Sequence, residues 1–288
     1  MQHKQPFTEA IDLEIIMLAL AHFDGSLSSM VDALENTPHH PLSSTPLERV
    51  KIVADWQNRH NQDMITLLPM RAKAAVEESL HMKKQMQESI EQDPDSIDSK
   101  VCELILFLHE DPYMLIDQLV IEQKKALPPL LKALENKKLF DPLYPGFGHS
   151  LLYVIDALKG IEDSKAIEPL FIALLEQNSF LEDRLLDALA SFESSTEKYM
   201  LQILEKRPFT IQSSYAAKVL NYLKTPEVAL AAVDALCDPS IAKHPALASY
   251  LISLLDALEE EDRTSVLKQL LEETHLSKEH QEEIKLFC

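Results

Sequence analysis

Residues 125–135, KALPPLLKALE, and residues 165–176, KAIEPLFIALLE, spell nearly the same text forty positions apart. Both read Lys-Ala-apolar-x-Pro-Leu and continue as an apolar stripe with three-to-four spacing. Self-similarity at a fixed period is the mark of a repeat array, whose units are short supersecondary elements that bury their apolar faces only against one another. A chain of this kind is foremost a surface for something else to bind.

The register extends beyond those two copies. Leu170, Leu201, Ala232 and Leu270 stand at equivalent places separated by 31, 31 and 38 residues, and Asp156-Ala157-Leu158 recurs as Asp187-Ala188-Leu189 and Asp256-Ala257-Leu258. The spacing of the second set is 31 and then 69, so Lys218-Val219-Leu220 fills the missing slot. Paired helices are expected: first members over 124–136, 164–177, 196–206, 226–237 and 261–273, and second members over 149–159, 180–192, 211–223, 245–258 and 277–287.

Only four glycines occur, Gly25, Gly146, Gly148 and Gly160, and alternating β-branched runs are missing. That removes the vocabulary of hairpins and phosphate loops and leaves an all-α chain. The net charge of −20 repels phosphate backbones and anionic lipid, so neither nucleic acid nor a membrane surface is the expected partner. Cys102, Cys237 and Cys288 are far apart and odd in number, which reads as reduced thiols of a cytoplasmic protein with no zinc spacing. The apolar stretch 15–21 follows Glu9, Asp12 and Glu14, where a secretory signal would carry positive charge, and is read as a buried helix. No apolar run reaches the roughly 18 residues a membrane span needs.

Ahead of the repeats, Ile11, Ile15 and Leu18 and then Met30, Val31 and Leu34 suggest two helices broken at Asp24-Gly25, with Ser26 or Ser28 as the cap. Residues 37–45, TPHHPLSST, read as a loop. A helix over 46–60 carries the only tryptophan, Trp56. A long polar helix over 69–91 shows a thin stripe of Met70, Val76, Leu80 and Met86. The break at 93–98, DPDSID, suggests a division into an N-terminal helical segment or cap, 1–96, and an array, 97–288. Short apolar helices over 101–109 and 112–122 precede the repeats.

With these units in view, residues 124–287 resemble the HEAT-like repeat family of the short bacterial, PBS-lyase-like type. Ala166-Ile167-Glu168-Pro169-Leu170, the acidic turn Glu182-Asp183-Arg184, and Ala188-Leu189 match that family's pattern in order. The helices over 196–206 and 226–237 lack the internal proline, and Arg184 has no counterpart in later second helices. The resemblance implies an α-α superhelix, a solenoid whose second helices line the concave side. Iron-dependent deoxyhypusine hydroxylase of similar fold needs several His-Glu pairs, and this chain has only His109-Glu110. Related DNA glycosylases need a basic concave face, which the charge opposes. A bilin-lyase-like site finds no supporting cysteine, Asp or Arg constellation, although an apolar trough could hide one.

Two features invite a functional reading. Residues 137–149, KKLFDPLYPGFGH, lengthen one repeat and hold Phe140, Tyr144 and Phe147, with Tyr153 following in the next helix. These rings either fold back as local core or anchor a partner. Asp156, Asp187 and Asp256 either form an acidic column that receives a basic segment or are solubilising charge. Adjacent His39-His40 lacks a helical ligand motif, and no metal site or cofactor is expected. Ser150, Ser191 and Ser213 lie outside any Gly-x-Ser-x-Gly elbow and read as caps and solvated positions. The expected function is a non-catalytic scaffold that binds a helix or an extended peptide of another protein on the concave face. The alternative is an enzyme or small-ligand binder whose pocket forms between the N-terminal helices and the array, with His39-His40 and the Trp56 helix as walls.

Overall fold

The computed structural model describes residues 9–37, 40–60, 63–107, 111–273 and 275–287, with the backbone alone at 261 and 262. Among them there are α-helices joined by turns and short 3-10 segments, and no strand. By internal contacts the chain divides into two compact units, Met1–Ala157 and Leu158–Cys288.

The first unit opens with α1 (Ala10–His22), α2 (Leu27–Asn36), α3 (Leu47–His60) and α4 (Met70–Gln92). The break at Asp24-Gly25 is as expected: both have positive φ, and the Ser26 hydroxyl caps α2 by accepting from the Ser29 N–H. The core gathers Ile15, Ile16, Leu27, Met30, Val50, Val53 and Val76. At its edge lies Asp12, fully buried, whose carboxylate accepts from the Arg49 guanidinium at 2.5 and 2.7 Å. A buried carboxylate is tolerable only with such a partner.

Helix α4 differs from the expected stripe. Met70 is exposed and Leu80 largely so; the buried positions are Val76 and Ser79, with Ala72, Ala75 and Met82 packed beside them. Small side chains on this face let another segment approach the helix closely. The residues after α4 make a turn, and α5 (Ile97–Leu106) starts four positions before the expected residue 101 because Ser96 caps it, accepting from the Ser99 N–H. Helices α4 and α5 pack on each other, followed by α6 (Pro112–Glu122) and α7 (Leu127–Glu135). The His109-Glu110 pair, like His39 and Cys288, lies outside the described residues.

The second unit is built from helix pairs. After α8 (Leu151–Ile161) come α9 (Ile167–Leu175) with α10 (Ser179–Ser191), α11 (Ser194–Leu204) with α12 (Ile211–Leu220), α13 (Pro226–Cys237) with α14 (Pro245–Leu254), and α15 (Glu260–Glu272) with α16 (Lys278–Lys285). Partners within a pair pack together, and second helices also pack on second helices: α10 on α12, α12 on α14, α14 on α16. Leu170 is fully buried and Glu168 exposed, so the face assigned to α9 is correct.

The register needs two corrections. Buried positions in the second helices follow one local pattern: Leu185-Leu186 and Ala188-Leu189, Ala216-Ala217 and Val219-Leu220, Leu251-Ile252 and Leu254-Leu255. Leu189, Leu220 and Leu255 are therefore equivalent, spaced 31 and then 35 residues. The 3-10 segment Pro239–Lys243 lengthens the connection before α14. Ser253, not Asp256, is thus the counterpart of Asp187, and Asp256 lies one tight turn beyond α14. Among first helices, the same comparison puts the fully buried Met200 rather than Leu201 in the place of Leu170.

Candidate interaction face

The aromatic stretch after α7 is tied into the first unit. Asn136 caps a 3-10 turn over Lys137–Phe140, and the Asp141 carboxylate accepts from the Leu143 N–H at 2.9 Å. Leu143 and Tyr144 then enter the core of α1–α4, where the Ser79 hydroxyl donates to the Leu143 carbonyl at 2.6 Å. That bond explains why α4 carries a buried serine: a larger side chain would hold the loop off. The Tyr144 hydroxyl donates to Glu78 at 2.8 Å, and Lys138 pairs with the same carboxylate. The Lys138 and Tyr144 bonds hold the Glu78 carboxyl below its usual range, whereas burial and the adjacent Glu78 push the Tyr144 phenol up to about 12.

Phe147 closes the loop. Its ring lies 4.2 Å from the His22 imidazole, 5.6 Å from His40 and 6.3 Å from Phe107, which in turn meets Tyr153 edge-on at 5.5 Å. Phe140 is half-buried, as are Phe147 and Tyr153. Tyr144 alone of these rings is buried in the core. Ser150, expected to be a cap or solvated, is instead fully buried behind Gly146, and its hydroxyl has no hydrogen-bond partner among the described residues.

Asp156 is half-buried in α8. Asp187 accepts from Lys159 at 2.7 Å and Asp256 from Lys224 at 3.2 Å, so each has a lysine beside it. Exposed pairs of this kind contribute at most about 1 kcal/mol.

The aligned second helices of the second unit produce a row that sequence matching did not single out. One turn before Asp187, Lys218 and Ser253 stand Arg184, Tyr215 and Tyr250, and at the amino-terminal ends of α10 and α12 stand Phe180 and Ile211, 48% and 58% exposed. Tyr222, just past α12, is also exposed. Residues at successive i, i+3 and i+4 places share one helix face. The row is braced by side chains that cross between helices. Lys218 pairs with Glu182 and lies 6.0 Å over the Tyr250 ring, Asn221 donates to the Tyr250 carbonyl at 3.0 Å, and the Ser253 hydroxyl donates to Asn221 at 2.6 Å. A register of burial, rather than of letters, would have found this face.

A groove of about 310 Å³ opens in the first unit between α4, α5 and α7. Met82, Met86, Val101, Ile105 and Leu139 supply its apolar walls and Lys132 and Asp98 its charges. Cys102 also lines it, with a thiol pushed up by burial and by Asp98. Among the described residues no group of three or more His, Cys, Asp or Glu side chains is placed to hold a metal ion, and no helix is long and apolar enough to cross a membrane. No protein-family model, curated protein or solved structure matches the chain.

Proposed function

We propose that the chain is a non-catalytic scaffold, that the helix pairs of its second unit form a HEAT-like solenoid, and that the face of α10, α12 and α14 binds an extended segment of another protein. The observation that carries this reading is the row of Arg184, Tyr215 and Tyr250 with Phe180 and Ile211 beside it, cross-linked between α12 and α14 through Asn221 and Ser253. Tyr and Arg are enriched in binding hot spots: Tyr offers large contact area and a hydrogen bond with few rotors to freeze, and Arg a planar fork of hydrogen-bond donors. Packed helices lie about 8–10 Å apart, which a polyproline II segment covers in about one turn of three residues, so every third partner side chain meets the next helix. The negative charge of the chain, with exposed Asp183 at the edge of the row, favours a basic segment.

A photo-crosslinking amino acid placed at Tyr215 should capture a discrete protein that the same probe at Leu230, exposed on the first helix α13, does not. The double variant Y215A/Y250A should weaken binding of that protein by about 30-fold or more, the loss expected of a hot-spot residue. Equal capture at both positions, or binding untouched by the double variant, would refute the face.

The groove between α4, α5 and α7 favours a second reading, a binder of a small apolar ligand, since its volume and lining suit one. Displacement of an environment-sensitive dye from the wild-type chain, abolished by Val101→Trp, is the observation that would bring this reading forward.

A further inference from the structure

The segment 141–149 brings together three imidazoles in a chain that carries 47 acidic residues against 27 Lys and Arg. Despite that excess, the charges that act on His22 are those of Lys83 and His40, and the one that acts on His149 is that of His40. Helix α1 contributes His22, the segment before α3 contributes His40, α4 contributes Lys83, and the loop contributes His149. The Phe147 ring packs on both His22 and His40, while Lys83 acts on His22 and His40 on His149. His22 Nε2 donates to the Pro142 carbonyl at 2.8 Å. A carbonyl can only accept, so Nε2 carries the proton of the neutral ring, and a second proton would have to enter on Nδ1.

We propose that residues 141–149 form an acid-released latch on α1, closed only while the imidazoles of His22, His40 and His149 are uncharged. Charging them puts positive charge on the two half-buried imidazoles packed on Phe147, with Lys83 acting on His22. The Pro142 carbonyl favours the charged ring, but burial outweighs it, and the relief is for the Phe147 segment to lift from α1 and hydrate the imidazoles. Leu143 and Tyr144 remain anchored through Ser79 and Glu78, so the movement is local. Burial lowers all three imidazoles, His22 to about 4. The sign follows from the lowered values: the closed latch is fully stabilised above the free-imidazole range and loses ground as pH falls from about 6.5 toward 4.

Hydrogen exchange on the full-length chain, corrected for the intrinsic rate at each pH, tests this at the amides of Phe147, His149 and Ser150, which donate within the loop. The shift of His22 alone predicts an open state about 30-fold more populated at pH 5 than at pH 8. His22→Gln should flatten that dependence, while His60→Gln, a histidine stacked on Trp56, should leave it intact. Protection that is the same at both pH values, or that falls equally in the second unit, overturns the latch. If His22→Gln weakens the fold, an NMR titration of wild-type His22 still decides: a midpoint near 4 supports the latch and one near 6.5 overturns it.

Discussion

Gly146→Ala is the most demanding test of the loop. Gly146 has φ of +83°, and a Cβ added there would lie 2.1 Å from Ser150 Oγ, 2.5 Å from Ser150 Cβ and 2.8 Å from the Ile105 carbonyl. The left-handed backbone costs a non-glycine residue about 1–2 kcal/mol. Overpacking adds about 1–3 kcal/mol, and little relief is available because Ser150 is fully buried and the Ile105 oxygen belongs to the backbone. The expected loss is therefore about 2–5 kcal/mol in the first unit. Trp56, the only tryptophan, packs against that unit's core, so its fluorescence in a urea titration reports the loss as a lower midpoint at unchanged slope. Gly160→Ala is the contrast: Gly160 is an exposed residue of α8 without positive φ, and alanine there should add about 0.5–1 kcal/mol, read by circular dichroism. A loss below about 1 kcal/mol for Gly146→Ala, less than overpacking and backbone strain together allow, would refute the packing of the loop.

Other substitutions probe other parts of the fold. Leu170→Ala should cost about 2–5 kcal/mol and the neighbouring Glu168→Ala less than about 0.5 kcal/mol in chemical unfolding, as buried and exposed positions of one helix. Arg49→Met leaves Asp12 buried without its partner and should cost about 3–5 kcal/mol by Trp56 fluorescence, with Asp12→Asn/Arg49→Met recovering part of it. Asp238 accepts from Ser240 and from Arg207, and its carboxyl is lowered to about 2. Its contribution to the second unit is present above the usual carboxylate range and is lost as pH falls toward 2, so Asp238→Asn should reduce the acid sensitivity of the thermal midpoint between about pH 4 and 2.

Helix existence was legible in the sequence because the local signals agree. Pro112 and Pro226 at helix starts, Ser26 as a cap, and apolar residues at three-to-four spacing all point the same way, and the corresponding helices are present. Repeat letters misled where a motif met an irregular connection. Asp256-Ala257-Leu258 copies Asp187-Ala188-Leu189 in text, yet the 3-10 segment before α14 shifts the structural equivalents by three residues. The Asp12–Arg49 pair was not legible, since its partners are 37 positions apart and each looks like ordinary surface charge.

The aromatic loop shows why rings in an insertion admit two readings from sequence alone. Rings in an insertion attract a functional reading because aromatic side chains dominate both interfaces and cores, and composition does not distinguish the two. What distinguishes them is the bonding of the chain around the rings. The Leu143 carbonyl is held by Ser79, the Tyr144 hydroxyl by Glu78, and Tyr144 is only 7% exposed. A partner reaching these rings would first have to break contacts already made within the unit. Tyr215 and Tyr250 differ: their helices' apolar faces are already satisfied by Ala216-Ala217 and Leu251-Ile252, and the two tyrosines, half-buried, stand beside the exposed Phe180 and Ile211. Surface already braced and only partly covered can bind without first unfolding anything, which favours the second-helix face over the more aromatic loop.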